Sequence, residues 1–527
     1  MLITEILAQN AIKYSGKTAL VERMPEAGLR TEITWEEFDN QANSFANALS
    51  NYNISKGDKV IQLMTNCLEW LPVYFGILKS GAWVVPLNFR FEADKIDLCT
   101  QTSEAEIFIF GEEFIDRVNT VKTSLDKFVK TYIFAGPETL RPEYAIPLSE
   151  FLFSGNTASP DVKIKKDDEA GLYFTSGTTG TPKAVLLTHR NLAFSCDVEN
   201  MHHQQTHDDN FLCIPPLYHT GAKMHWFGNF VVGAKSVILK GVSPKWILEA
   251  VSEEKITIVW LLVPWAHDIL IALENNEIQL SDYETSQWRL MHIGAQPVPP
   301  SLIEKWQKVF PNHKYDTNYG LTEATGPGCV HLGMENIHKI GSIGKPGHGW
   351  ECDIVNTEME TLPGGETGEL LVKGAGVMKA YYKNAEETEK AISNGWLRTG
   401  DMARKDENGF IWLVDRKKDL IITGGENIFP VEIENFLMTN EKIHDVAVIG
   451  VPDRRLGEIV AAIIQVKQGK TLTTDDIQIF CKPLSRYKQP RQVLFGDVPR
   501  NPTGKIEKPK LRRKYIEGNR DFNKLKL

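Results

Sequence analysis

The stretch Tyr173-Phe-Thr-Ser-Gly-Thr-Thr-Gly-Thr-Pro-Lys-Ala-Val-Leu-Leu-Thr-His189 leaves the chain few ways to fold around it. Tyr173-Phe174 and Val185-Leu-Leu187 read as buried strands. Between them lie glycines and hydroxyls, closed by Lys183. Gly177 and Gly180 let the backbone bend and approach a ligand without Cβ interference. Thr175, Ser176, Thr178, Thr179 and Thr181 add hydroxyls, and Lys183 adds a positive charge. Such a loop suits a polyphosphate held by backbone N–H groups and hydroxyls. It is not the Gly-Lys-Ser/Thr loop that opens a helix in P-loop proteins, because Thr181-Pro182 precede the lysine and Ala184 follows it. The competing reading is a polar hairpin turn.

At 527 residues the chain exceeds one core and suggests several structural units. Hydrophobic content of 42% and charged content of 24% are ordinary for a globular protein. A net charge of −9 excludes a general nucleic-acid binder. The basic segment from Lys505 to Leu527 reads as a solvated helix face or tail. The seven cysteines are scattered, without a CxxC pair, which fits reduced thiols in the cytoplasm rather than a disulfide framework or zinc site. Met1-Leu-Ile-Thr-Glu lacks the basic start and long apolar core of a signal peptide. The most apolar window, Ile256 to Leu273, is broken by Pro264, His267 and Asp268, and reads as a strand then a helix rather than a membrane span.

Strand-like and helical patterns alternate: Val60–Met64 as a strand, Trp70–Lys79 as a helix, Trp83–Val85 and Glu106–Phe110 as strands. The expected class is α/β with parallel-rich sheets. From about Glu366 to Asp415, glycine turns punctuate short strands, predicting a small antiparallel β unit. Beyond it the texture is compact α+β, with strands expected at Val446–Ile449 and Ile459–Ile464. The charged run 415–419 marks a boundary, giving domains 1–415 and 416–527.

Further constellations are weak when taken singly. Tyr319-Gly-Leu-Thr-Glu323 follows Asp316-Thr-Asn318; Gly320 permits a turn, Tyr319 offers a ring face, and Glu323 is a hard oxygen ligand suited to Mg²⁺. A helix-capping Thr-Glu pair is the alternative. Asp401 follows the turn Arg398-Thr-Gly400 and could accept ribose hydroxyls or cap that turn. Asn501-Pro-Thr-Gly-Lys505 presents one lysine, as a solvent group or a functional one. His219 precedes Gly221 in Pro216-Leu-Tyr-His-Thr-Gly, and Gly294-Ala-Gln-Pro297 follows a strand.

Taken in order, these motifs resemble the AMP-forming adenylating superfamily of acyl-CoA synthetases, peptide-synthetase adenylation domains and luciferases. The likeness spans nearly the whole chain. It includes Leu78-Lys-Ser-Gly-Ala-Trp-Val-Val-Pro86, Gly341-Ser-Ile-Gly-Lys-Pro346, Gly365-Glu-Thr-Gly-Glu369, Asp415-Arg-Lys-Lys-Asp419 and Gly424-Gly-Glu-Asn-Ile-Phe-Pro430. The resemblance implies a large N-terminal domain, a small mobile C-terminal domain and an active site between them. It implies a carboxylate attacking the α-phosphorus of ATP, then a thiol, that of CoA, attacking the acyl-adenylate.

The resemblance also implies roles. Thr175, Ser176, Gly177, Thr178, Thr179, Gly180 and Lys183 would grip the phosphates, with Thr179 among the catalytic residues. Glu323 would hold Mg²⁺ and Thr322 would touch the α-phosphate. Tyr319 would stack on adenine, with Gly294, Ala295, Asn318 and Gly320 lining the slot. Asp401 would bind ribose, with Arg416 nearby. Lys505 would bridge the carboxylate and α-phosphate. His219 matches the position guarding the passage from acyl pocket to thiol channel. Lys418 matches the pivot, and Gly424 and Gly425 match the channel loop.

One position departs from the family: Ala184 stands where glycine is usual, and ordinary extended backbone is expected there. No acid lies near Thr220, which disfavours an amino-acid substrate. The acyl pocket is expected to draw on His219, Gly221, His225, Gly294 and Pro297, with Met224 and Trp226 shaping an apolar cavity for a medium-chain, cyclic or aryl acid. Lys223 reads as a surface residue or as a partner for a second carboxylate. Free CoA is the expected acceptor, a carrier protein the alternative, and the chain is compatible with a homodimer.

Overall fold

The computed structural model describes residues 1–175, 182–295, 298–416, 418–423, 426–500 and 506–517. Two large sheets dominate the first four hundred residues. The apolar runs form their central strands, buried on both faces as parallel strands must be. One sheet has seven strands, ordered Lys314–Asp316, Leu290–Gly294, Ile258–Leu262, Asn210–Cys213, Lys235–Leu239, Thr18–Met24 and Leu29–Thr34. Only its last pair is antiparallel. The apolar window after Ile256 is the strand Ile258–Leu262 followed by the helix Val263–Glu274.

The other sheet has eight strands, running from Ala380–Tyr381 through Lys183–Thr188, Glu169–Thr175, Trp83–Pro86, Lys59–Leu63, Ile107–Gly111 and Thr131–Ala135 to Ala145–Pro147. The helix Trp70–Lys79 crosses between Lys59–Leu63 and Trp83–Pro86, as expected from the sequence. Every residue of this helix is buried, and its Phe75 meets Phe38, Phe227 and Phe230 from two other helices. Glu169–Thr175 and Lys183–Thr188 pair antiparallel, and Thr175 lies opposite Lys183. Ala184 pairs with Phe174 in extended backbone, so no left-handed strain arises there. Thr188 then caps the helix His189–His203, exchanging hydrogen bonds with Asn191. The Asn191 amide donates to the Ala375 and Val377 carbonyls, tying the helix to the small β region.

That β region is an antiparallel sheet of Glu351–Val355, Thr367–Lys373, Trp396–Lys405, Ile392–Ser393 and Ile411–Arg416. Beyond it, Ile421–Thr423, Glu426–Ile428, Ile443–Asp453, Gly457–Val466 and Gln492–Phe495 form a separate sheet. This sheet has its own apolar clusters on either face, around Val448 and Ile464 and around Ile449 and Ile463. The basic C-terminal segment is less solvated than its composition suggests. Lys508 is buried against Glu434 at 2.9 Å and Leu511 is buried, because the helix Lys508–Arg512 packs on the last sheet. Among the described residues no helix is long and apolar enough to cross a membrane.

Asp415 joins the two parts. Its carboxylate accepts the Val431 N–H at 2.9 Å, at the start of the helix Pro430–Leu437, and the Arg416 N–H at 2.6 Å. Burial lifts its carboxyl to about 6, against the pull of nearby Lys508. A carboxyl raised in the folded state holds its proton more tightly folded than unfolded, so its stabilising contribution is lost as pH rises from about 4 to about 6. The expected loss is up to ~3 kcal/mol. Asp415→Asn should remove this part of the pH dependence. Urea unfolding of both proteins at pH 5 and 7.5 checks it, with the wild type losing more stability between the two.

Candidate active site

The site is assembled where the β hairpin, the small β region and the strand Asn318–Leu321 meet. Lys183 starts its strand and donates to Glu387 at 2.6 Å, with its ammonium 4.8 Å from the centre of the Tyr381 ring. The Tyr381 hydroxyl in turn donates to Glu323 Oε1 at 2.9 Å. Burial first, and then the Glu323 carboxylate, push the Tyr381 phenol upward, so it remains a donor. Glu323 sits in the short helical turn Thr322–Ala324, and its carbonyl accepts the Met378 N–H at 2.8 Å. Pairing of Ala380–Tyr381 with Val185 and Leu186 delivers this tyrosine. Neither Tyr381 nor Glu387 carried a signal in the sequence, since both depend on that long-range pairing.

A second group lies alongside. The Tyr319 hydroxyl donates to Asp401 Oδ2, and Arg416 Nε lies 2.6 Å from Asp401 Oδ1. Tyr319 and Asp401 are buried. Burial, then the Asp401 charge, hold the Tyr319 phenol protonated. Asp401 and Arg416 face each other because their strands pair in that register. Both carboxylate oxygens of Asp401 are therefore engaged by protein groups, an arrangement the turn reading did not foresee.

Gly320 does not make a turn. It lies within the strand Asn318–Leu321, and a Cβ there would stand 2.1 Å from the Gly326 carbonyl oxygen. The glycine is required by close approach of the two strands, not by backbone freedom. Gly320→Ala should lower stability by several kcal/mol, since backbone cannot yield as a side chain can. A thermal melt checks this, with a marked fall in Tm expected.

Gly294 ends its strand, and a Cβ there would make only ordinary contacts, the nearest atoms being Asn318 O and Thr317 Oγ1 at 3.9 Å. The next residue, Ala295, takes a left-handed φ of 67°. His219 caps the helix Thr220–Val231, its Nδ1 accepting the Gly221 N–H at 3.2 Å. Trp260 lies between these pieces, 3.5 Å from a Cβ built at Gly221 and 4.0 Å from one at Gly294. It was legible only as part of a buried strand.

Other expectations are corrected. Lys223 is neither on the surface nor placed for a second carboxylate. It is fully buried, donates to the Leu217 carbonyl at 3.1 Å, and sits over the Tyr173 ring at 4.7 Å and the Tyr74 ring at 5.3 Å. Burial drives its ammonium well below the usual lysine range. Trp226 and Met224 belong to the core; Trp226 packs on Phe75, Phe227 and Phe230. His225 is buried, its Nδ1 3.0 Å from Glu199 Oε2, with its ring 4.3 Å from Trp260. Asn318 donates to Glu199 Oε1 at 2.8 Å. Lys418 is exposed. Ser176, Gly177, Thr178, Thr179, Gly180, Pro297, Gly424, Gly425 and Lys505 lie outside the described residues.

Comparison with known proteins identifies the family. The model of the AMP-binding enzyme family matches residues 7–382, and that of the AMP-binding enzyme C-terminal domain matches residues 432–505. The chain is 32% identical to a feruloyl-CoA synthase of an Amycolatopsis species, over 92% of this chain and 94% of that one. It is 29% identical to a long-chain-fatty-acid–CoA ligase of Mycobacterium tuberculosis, over 97% and 98%. Among solved structures it resembles the o-succinylbenzoate CoA synthetase of Bacillus subtilis. That enzyme bound to ATP and magnesium gives a TM-score of 0.81 at 26% identity, covering 96% of this chain and 99% of that one. Bound to its acyl-adenylate it gives 0.82 at 25% identity, covering 96% and 97%. The chain belongs to the AMP-binding enzyme family, on its acyl-CoA synthetase branch.

Proposed function

We propose that the protein converts a medium-chain, cyclic or aryl carboxylic acid, with ATP and CoA, into its acyl-CoA, AMP and pyrophosphate through an acyl-adenylate. The observation that carries this reading is the pairing of two groups, Tyr319–Asp401–Arg416 and Glu323–Tyr381–Lys183, on adjoining elements. The first suits a nucleoside and the second a phosphate chain.

In the first step the carboxylate oxygen attacks the α-phosphorus and pyrophosphate leaves. This chemistry needs positioning and charge neutralisation more than covalent help. Lys183 would exchange Glu387 for the phosphates, joined by Thr175, Ser176, Gly177, Thr178, Thr179 and Gly180. Thr322 would touch the α-phosphate. Adenine would lie against Tyr319, Gly294 and Ala295, lined by Asn318. The ribose hydroxyls would share Asp401 with Tyr319 and Arg416. Glu323 fits Mg²⁺, since its second carboxylate oxygen makes no hydrogen bond among the described residues; such an ion would neutralise phosphate charge. Lys505 would stabilise charge on the α-phosphate.

In the second step the CoA sulfur attacks the acyl carbon and AMP leaves. Lys505 serves only the first step, so residues 416–527 would turn about Lys418 and bring the loop of Gly424 and Gly425 to the thiol passage, with His219 at the gate. The acyl group would lie along His219, Gly221, Trp260, Gly294 and Pro297. Scattered cysteines support a cytoplasmic enzyme.

The deciding experiment measures AMP release with CoA over acids of varied size, alongside acid-dependent ATP–pyrophosphate exchange. Turnover with one of the named acid classes is expected. Absence of exchange across the whole panel would refute the reading. Release with a pantetheinylated carrier but not with CoA would reassign the acceptor.

A further inference from the structure

Behind the adenine and acyl walls lies a buried cluster, bordered by Asn318, whose residues have no role in the proposed reaction; of them only His225 was expected in the acyl pocket. Glu199 and His203 come from the helix His189–His203 and His225 from the helix Thr220–Val231. His292, Asp316 and His331 come from the strands Leu290–Gly294, Lys314–Asp316 and Gly326–His331. The side chains of both carboxylates are fully buried.

Asp316 Oδ2 lies 3.1 Å from His203 Nε2, 3.1 Å from His331 Nδ1 and 4.0 Å from His292 Nδ1. Glu199 lies 3.0 Å from His225 Nδ1 and 3.3 Å from His331 Nε2. One nitrogen each of His203, His225 and His292 can be chosen so that all three lie within 4.8 Å of one another. Both ring nitrogens of His292 are buried without a hydrogen-bond partner among the described residues. An imidazole left so is costly unless something occupies the space between the rings.

We propose that His203, His225 and His292 form a binding site for a divalent transition-metal ion of zinc type. Imidazole nitrogens suit such ions, and carboxylates on the far ring nitrogens are the usual outer support. His225 has Glu199 on Nδ1 and His203 has Asp316 on Nε2, while the opposite nitrogens have only longer contacts, Asn318 Nδ2 at 3.5 Å from His225 Nε2 and Glu199 Oε2 at 3.5 Å from His203 Nδ1, which the ion would displace. The two buried carboxylates carry two negative charges; His331, with one ring nitrogen on each, offsets one, and the dication offsets the remainder. The rings have to draw together, since zinc–nitrogen bonds of about 2.1 Å set ligand nitrogens roughly 3.4 Å apart. Because the donors sit on two helices and a strand, the ion would lock the Asn318 and Gly294 wall rather than join the reaction.

The test uses full-length protein, stripped with EDTA and reloaded with Zn²⁺ or Co²⁺. Expected are close to one ion per chain retained through gel filtration, a visible Co²⁺ d–d band of four-coordinate intensity, and a raised Tm that EDTA reverses. His292→Ala and His203→Gln should lose ion and band, while His338→Ala, an exposed histidine outside the cluster, should keep both. A wild type that retains no ion, with Tm unmoved by zinc, overturns the proposal; so does an ion that survives His292→Ala. If the cluster variants fail to fold, the Co²⁺ band of the wild type decides alone: presence supports the site, absence refutes it.

Discussion

Replacing Lys505 with alanine is expected to lower acid-dependent ATP–pyrophosphate exchange by ~10²–10³-fold. Thioester formation from a supplied acyl-adenylate should keep its rate. The asymmetry follows from where charge develops. Attack on the α-phosphorus builds negative charge on phosphate oxygens, and one ammonium placed there lowers the barrier. Attack by the CoA sulfur builds charge on the acyl oxygen instead, and in the proposed cycle the lysine would by then have been carried away. Equal loss of both half-reactions would mean that Lys505 supports the fold or the adenylate pocket. Full retention of both would remove it from the mechanism.

Replacing Asp401 should have an effect of similar size for a different reason. Its oxygens hold the Tyr319 hydroxyl and Arg416 in place as well as facing the proposed ribose position. Asp401→Ala leaves a buried phenol without its acceptor and a half-exposed guanidinium without its counter-ion. The expected cost is ~1–3 kcal/mol in stability, discounted for the exposure of Arg416. The Michaelis constant for ATP should rise at least ~100-fold, as when two hydroxyls each lose a charge-assisted bond worth ~1.5 kcal/mol or more. Asp401→Asn separates the parts, because its amide oxygen still accepts from Tyr319 while Arg416 loses its charge partner. An unchanged KM for ATP in both variants, with only Tm lowered, would make Asp401 a structural residue.

The legible parts of this protein were those written in contiguous residues. The window Ile256 to Leu273 could be read as a strand then a helix, and Trp70 to Lys79 as a helix, because continuous apolar runs with polar residues at their ends mark buried elements. The resemblance rested likewise on short runs in a constant order. Gly320 shows where local reading stops: a glycine before Leu-Thr-Glu suggests a turn, but the cause is a strand crossing from Gly326. Lys223 shows it again. A lysine on a helix reads as exposed, yet this one is enclosed by Trp70, Tyr74 and Tyr173, which come from distant elements.

By itself the sequence determined the α/β class, the order of the motifs, the family likeness and a chemistry of adenylation, since each depends on periodicity or on neighbours along the chain. Only the tertiary structure decided that Tyr381 bridges Lys183 and Glu323, that Tyr319 and Arg416 divide Asp401, and that four histidines converge on two buried carboxylates. Those groups come from elements scattered along the chain. What joins them is strand register and helix packing, which local propensity does not encode.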